Sequence, residues 1–597
     1  MASVSESPRI AGVPAPWLDH YPAEVPHSLA YPQRPVWAFL EQSAHDYPDR
    51  VACWFYEEHL TYAQLYTQAR KAAAAFTHLG VRPGDRVGVL LPNMPEYLVA
   101  AYGAWMAGAA VVPISPLLVP EEITELLRST ECRVVVSLDL LAPLILQGDV
   151  HPEHLLLATF QDRLTQLQRL GYRFMRFKRF GWHRVPHTSQ IRDWNEELRH
   201  IEGDGQDGLD ISLDSPAYIL ATGGTTGAPK AVVLSHRNLV SNAWQLYHWG
   251  GARVGSETFL SVLPFFHSYG LTTCATTGVA LAATLVMYPR FNSRKVLRLM
   301  ERHHPTIFHA VPAMLAALNE NLRRRRRKPI EGLQFVISGG APLDPGIANE
   351  FAEHTGATVV EGYGLSEASP VTHVGPLDGT NRLGTIGLPL PDTAAKIVDA
   401  ETGTRTLPPS EVGELCIHGP QVMVGYLNNP EATAAVLKEG WLHTGDLAVC
   451  DADGFFKIVD RKKDLIITSG YNVYPTDVET VLRRCPEVGD VAVVGQPSAS
   501  KGEVVKAIIV PANKGHFHRH AFEHFVHEHL AKHKRPRVIE IVDELPRNFL
   551  GKVLRRKLRE NGTSEDEIHL DSNPEVPAAQ PSAETEHEHA DREEHGA

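Results

Sequence analysis

The stretch Thr222-Gly223-Gly224-Thr225-Thr226-Gly227-Ala228-Pro229-Lys230 stands between two apolar runs, 217–220 and 231–234. Both runs read as strands. Glycines let the loop between them turn tightly and aim backbone N–H groups at an anion. The threonine hydroxyls add donors, and Lys230 adds a point charge. No Ser or Thr follows that lysine and the glycine spacing is wrong for a Walker A loop. A flexible surface turn is the bland alternative, but three glycines and three threonines closed by Pro-Lys are dense for one. A strand–phosphate loop–strand unit predicts an α/β protein that handles phosphate in a different way from the P-loop enzymes.

Composition agrees with a globular chain. The 597 residues suggest about three to five folding units. Hydrophobic residues make up 43% and charged residues 21%, ordinary values for a folded protein. Net charge is −13, much of it in the far C-terminus, which gives no argument for nucleic acid as a partner, and none is expected. The six cysteines are scattered with no C-x-x-C pair, so reduced thiols in a cytoplasmic protein are expected. No signal peptide pattern opens the chain. Residues 97–120 and 268–289 lack charge over lengths approaching a membrane span. Both are interrupted by Gly and by Pro, Ser or Thr. Each reads better as a buried helix followed by a buried strand.

Outward from the loop, helical and strand patterns alternate. Residues 1–35 are Pro-rich and are expected to drape over the surface. From Val36 helices at 36–47, 61–79, 95–106 and 121–129 alternate with strands at 86–91, 111–114 and 133–138, a rhythm of helix-covered sheet. Beyond the loop, strands at 258–263, 334–337 and 358–360 each run into a Gly- or Pro-rich turn, and a strand at 306–310 leads into a helix at 311–321. Ligands of open α/β sheets gather at such carboxyl ends. Near residue 380 shorter β-like runs begin. The charged run Asp460-Arg461-Lys462-Lys463-Asp464 then marks a domain boundary or hinge, and a small α+β unit follows. From about Asn561 the chain is acidic and expected to be disordered. Residues 161–181 interleave basic and aromatic residues. Two readings stand for them: a face peripheral to an anionic membrane, or a surface helix packed on its own domain. The basic run 323–328 reads as a solvated loop.

These stretches, in this order and spacing, resemble the adenylate-forming superfamily of acyl-CoA synthetases, luciferases and peptide-synthetase adenylation domains. The likeness runs from about Val36 to Lys557. The phosphate loop, the block Gly470-Tyr471-Asn472-Val473-Tyr474-Pro475 and the basic-aromatic insert are most similar to those of bacterial long-chain fatty-acid–CoA ligases. The resemblance implies a large N-terminal domain (36–459) of α/β subdomains with a small β-rich subdomain, a hinge (460–464), a small mobile α+β C-terminal domain (465–560) and a tail (561–597). It implies ATP, coenzyme A and a fatty acid as substrates, with Mg²⁺. A carboxylate attacks the α-phosphate of ATP, giving acyl-AMP and pyrophosphate, and the CoA thiol then takes the acyl group. The protein must position repelling anions and neutralise charge.

By the same resemblance, Thr222, Gly223, Gly224, Thr225, Thr226, Gly227 and Lys230 hold the β- and γ-phosphates. Glu367 binds the metal, with Ser366 beside it on phosphate. Gly339, Gly340, Ala341, Gly362, Tyr363 and Gly364 form the adenine slot, Tyr363 stacking. Asp446 accepts the ribose hydroxyls with Arg461 in support. Lys552 reaches in from the small domain to bridge carboxylate and α-phosphate, and Asp460 is the hinge. Gly470, Tyr471 and Asn472 then line a channel for CoA, and His267 lies near the acyl carboxylate.

Some residues depart from the family pattern. Ser366 replaces Thr and Ala231 replaces Gly. Residues 264–270 are similar to the aryl-CoA ligases, and with 244–249 they are expected to line the acyl pocket. An aryl- or medium-chain-acid ligase is therefore an alternative. An acyl-AMP ligase serving a carrier protein and a non-catalytic lipid-binding protein stand further off. The expected setting is cytoplasmic or peripheral on the inner membrane face, as a monomer or homodimer.

Overall fold

The computed structural model describes residues 9–163, 169–172, 174, 188–222, 230–251, 253–324, 330–468, 471–498, 502–513, 516–547, 551–560 and 567–569. Gly223, Gly224, Thr225, Thr226, Gly227 and Gly470 therefore lie outside the described residues, as do most of the basic-aromatic segment and of the C-terminal tail. The chain divides into two compact units. The first is Met1–Asp464 with Pro546–Arg556; the second holds Leu465–Leu545 and the residues after Arg556.

Two large sheets form the first unit. In the described residues one has eight strands and the other nine. At the centre of the eight-stranded sheet, Ala110–Pro113, Arg86–Leu90 and Val134–Leu138 pair in parallel. Pro216–Thr222 and Lys230–Ser235 add an antiparallel hairpin whose closing register pair is Thr222 with Lys230. In the nine-stranded sheet Thr258–Ser261, Ile307–Ala310, Phe335–Ser338 and Thr358–Gly364 run parallel side by side. Their carboxyl ends thus emerge along one edge, where the Gly-rich turns begin.

The helix Pro95–Met106 is buried along its whole length, which is why its sequence approaches a membrane span. Its large aromatics satisfy their polar ends internally: Tyr97 donates to the Phe265 carbonyl (2.8 Å), Tyr102 to that of Ala275 (2.9 Å) and Trp105 to that of Ala217 (2.8 Å). The second uncharged stretch becomes a buried helical run from Ser268 to Ala280 and the strand Thr284–Met287. No helix among the described residues is long and apolar enough to cross a membrane.

A smaller β unit follows in the same body, with Gly413–His418 between Ala394–Val398 and Trp441–Cys450. Trp441–Cys450 and Phe456–Arg461 make a hairpin. The N-terminal extension does more than drape over the surface. Pro16–His20 is a short 3₁₀ helix that buries Trp17 and Leu18, because these apolar side chains outweigh the Pro-rich polarity around them.

The second unit builds a sheet on Gly502–Pro511, flanked by Val488–Ser498 and Val538–Ile541. Glu567–His569 pairs antiparallel with Val538–Ile541. Part of the stretch expected to be disordered thus joins the sheet, since an edge strand offers unpaired backbone groups that chain polarity does not forbid.

Candidate active site

The site is assembled where the parallel strands of the nine-stranded sheet end. Phe335–Ser338 leads into Gly339, Gly340 and Ala341, and Thr358–Gly364 carries Gly362, Tyr363 and Gly364. Gly340 has φ +79°, a left-handed turn that glycine adopts without strain. A Cβ on Gly364 would lie 2.0 Å from the Pro370 carbonyl oxygen, so no side chain fits there. Tyr269 from the 264–270 segment comes to the same edge and donates to the Ile337 carbonyl at 2.9 Å. Asn93 fixes this segment: its amide donates to the Ser261 and Leu263 carbonyls and accepts from the Phe265 N–H. Asn93 escaped the sequence reading because a lone buried Asn has no motif around it.

Tyr363 donates to Asp446 at 2.6 Å. Asp446 also pairs with Arg461, Nε to Oδ1 at 3.2 Å, its register partner across the hairpin. Burial, with the Asp446 charge adding to it, raises the Tyr363 phenol well above its ordinary range and keeps it protonated. The three residues expected to hold adenosine therefore form one hydrogen-bonded set.

Glu367 sits in the short helix Ser366–Ala368 that follows. Its carboxylate accepts from Tyr426 at 2.9 Å, and the Lys230 ammonium lies over the Tyr426 ring at 5.0 Å. Tyr426 thus bridges Lys230 and Glu367. Nothing in its local sequence singled it out; it arrives by pairing with Val232 of the loop's own hairpin. Ser366 Oγ and Ser268 Oγ stand 3.5 Å apart. His267 caps the next helical turn, accepting from the Tyr269 N–H at 3.2 Å. Desolvation draws its pKa down to about 4, so the imidazole is neutral at working pH.

Lys552 belongs to the segment that packs with the first unit. Its pKa is lowered to about 8, by desolvation first and by the nearby Arg461 second, with Asp446 opposing both. From the same segment Arg555 reaches Asp460 (3.4 Å) and Asp464 (3.6 Å). Asp460 is buried and also accepts from the Arg461 N–H. Lys552, Arg461, Asp446 and Tyr363 are in this way brought together from far apart in the chain. Trp244 stacks between Phe39 and Tyr247. Tyr471 and Asn472 stand on the second unit, in its strand Tyr471–Val473.

A tyrosine–aspartate–arginine set centred on the buried Asp446, beside a low-pKa lysine and Gly-rich turns, suits a nucleotide and an anionic co-substrate. Residues 40–427 match the AMP-binding enzyme family, and residues 477–552 match the AMP-binding enzyme C-terminal domain. The chain belongs to the AMP-binding enzymes.

This AMP-binding enzyme is 36% identical over 560 residues to a long-chain-fatty-acid–CoA ligase of Bacillus subtilis, covering 93% of this chain and 99% of that one. It is 34% identical to a long-chain-fatty-acid–CoA ligase of Escherichia coli over 91% of this chain and 98% of that one. ATP-bound MatB from Rhodopseudomonas palustris matches with a TM-score of 0.74 at 28% identity, covering 88% of this chain and 98% of that one. The o-succinylbenzoate CoA synthetase MenE of Bacillus subtilis, in complex with its acyl-adenylate intermediate, matches with a TM-score of 0.73 at 27% identity, covering 89% and 99%.

Proposed function

We propose that this AMP-binding enzyme is a fatty-acid–CoA ligase: it converts a fatty acid and ATP to acyl-AMP and pyrophosphate, then passes the acyl group to coenzyme A. The observation that carries the reading is the convergence of Lys552 with the Tyr363–Asp446–Arg461 set. In the first half-reaction Asp446 accepts from the ribose hydroxyls and Tyr363 stacks on adenine. Gly223, Gly224, Thr225, Thr226 and Gly227 wrap the β- and γ-phosphates, and Lys230 and Lys552 neutralise phosphate charge. The low Lys552 pKa suits a cation desolvated by the protein and recharged beside the carboxylate and α-phosphate. His267, neutral, borders the acyl carboxylate without adding a competing charge.

The donor set around Glu367 fits Mg²⁺. Mg²⁺ takes one or two carboxylates together with phosphate oxygens and waters, and among the described residues no cluster of three or more metal-ligating side chains stands in for substrate oxygens. Bound there, the metal supplies charge neutralisation for the pyrophosphate that leaves. Tyr426 orients the Glu367 carboxylate for that task.

For the second half-reaction Lys552 must withdraw. The Arg555 pairs with Asp460 and Asp464 tie its segment to the hinge run and must break when it does. On the second unit a cavity of about 280 Å³ is lined by Tyr471 together with Lys532, His533, Arg535 and Arg537. Its positive charge suits the phosphates of coenzyme A. The exposed Leu170 and Phe174 within the basic-aromatic segment favour a peripheral membrane contact that delivers the acid.

The testing experiment measures pyrophosphate release with CoA across straight-chain acids of rising length and cinnamate-type acids. Turnover that rises toward long straight chains supports the reading. A preference for cinnamates establishes the aryl alternative, and no CoA-dependent turnover of any aliphatic acid overturns the fatty-acid assignment.

A further inference from the structure

The N-terminal extension is tied to the nucleotide residues by an unbroken row of rings. Trp17, 1% exposed, meets Phe456 edge-on at 6.1 Å. Phe456 meets His373 at 4.8 Å, and His373 meets Tyr363 at 5.9 Å, both again edge-to-face. Tyr363 and His373 are register partners on adjacent strands, so their side chains stand on one face. The row ends at the Tyr363 hydroxyl on Asp446.

The same extension grips the hairpin that carries Asp446 and Arg461, at the opposite end. A Cβ on Gly454 in the hairpin turn would lie 2.7 Å from the Trp17 nitrogen, so turn and extension are in direct backbone contact. His20 lies 3.6 Å from Asp453 of that turn, and Arg382 holds both Asp451 and Asp453. Tyr21 donates to the Pro389 carbonyl at 2.5 Å, and Pro389 is the other register partner of His373.

His373 is fully buried. Its Nδ1 meets Thr372 Oγ1 at 2.9 Å, while its Nε2 has no hydrogen-bond partner among the described residues. Desolvation holds the ring neutral, at about 3. An imidazole kept without charge and with one nitrogen unpaired contributes through its ring contacts. Edge-to-face contacts fix the plane of the ring they abut.

We propose that Trp17, Phe456 and His373 form a brace that presets the plane of Tyr363 and the position of Asp446, making the N-terminal extension a positioning element for the nucleotide. The inference rests on the reading of Tyr363 and Asp446 as adenosine-binding residues. A ring ordered in advance does not have to be ordered when the nucleotide binds. The brace therefore acts on nucleotide affinity and leaves the acid, CoA and the chemical step alone. Loss of such binding appears in KM and not in kcat.

The test uses the full chain and steady-state kinetics in each of the three substrates. Trp17→Ala and His373→Leu should each raise KM for ATP about three- to tenfold, the worth of one edge-to-face contact. KM for acid and for CoA should stay within about twofold. Trp17→Phe and His373→Phe should restore the ATP value, because an aromatic edge is all that is required. A packing role alone would lower Vmax through fewer active molecules at unchanged KM, and that result overturns the brace. So does an equal rise in all three KM values. If Trp17→Ala does not fold, His373→Leu decides alone. Tyr363→Leu separates the two levels. An unchanged ATP KM in that variant removes the underlying reading, whereas a raised one with Trp17→Ala and His373→Leu unchanged removes only the brace.

Discussion

At the scale of single residues, the decisive group is Lys552. Its pKa of about 8 reflects desolvation first and repulsion from Arg461 second. The ammonium is present below that value and lost above it. Acyl-AMP formation, followed as kcat/KM by pyrophosphate release, should therefore fall as pH rises through about 8. Lys552→Arg, charged beyond about pH 12, should remove this alkaline limb at a lower rate. Lys552→Ala should cost about 100- to 1000-fold in acyl-AMP formation and spare thioester formation from supplied acyl-AMP. Equal loss of both half-reactions would refute the role. Lys552 was readable in sequence only through its place in a motif order; alone it is one of many surface-type lysines. Its depressed pKa, and the Tyr426 bridge between Lys230 and Glu367, come from neighbours distant in the chain, which no local pattern encodes.

At the scale of elements, the strand Thr358–Gly364 holds the most unusual carboxyl group. Desolvation raises Glu361 to about 8, opposed by the Leu343 backbone N–H. A raised folded-state pKa means that the native protein binds this proton when the unfolded chain has released it. Stability from this group is complete below about 4.5, the ordinary value, and is lost as pH rises through about 8. Glu361→Gln should be more stable than the parent near pH 8, with a difference that shrinks toward pH 5, as read by urea unfolding across this range. Parallel pH dependence in both proteins would free Glu361 of this effect. Elements of this sort were well marked in the sequence. The alternation that places strands at 358–360 and 413–418 is a property of nearest neighbours in the chain. The strands Val51–Phe55 and His154–Ala158 carried weaker marks, and the π-helical turn Leu271–Thr276 none, because a register irregularity is imposed by what the helix packs against.

At the scale of the whole molecule, the proposed division of function between two units makes its own prediction. If the basic cavity on the second unit receives CoA, Lys532→Ser with Arg537→Ser should raise KM for CoA about five- to twentyfold, the loss of charge-assisted phosphate contacts. KM for ATP, which the proposal assigns to the first unit, should hold. Arg535 is a poorer choice for the test, since it donates to the Leu530 and His527 carbonyls and frames the cavity itself. A rise in KM for ATP without one for CoA would contradict the division of labour. One division between the units falls after Asp464, and residues 546–556, expected in the small domain, cluster with the first unit.

The sequence by itself determined the alternation of helix and strand, the Gly/Thr-rich stretch expected to hold phosphate, and the order of motifs that leads from Thr222 to Lys552. Each of these is a local matter of periodicity, turn chemistry and residue type. The tertiary structure alone decided that Tyr426 joins Lys230 to Glu367, that Asn93 anchors the segment before His267, and that Trp17 stands behind Tyr363 through Phe456 and His373. Those residues act by proximity across hundreds of positions. Proximity comes from how sheets pair and close, and burial then sets which side chains lose water and which pKa values move.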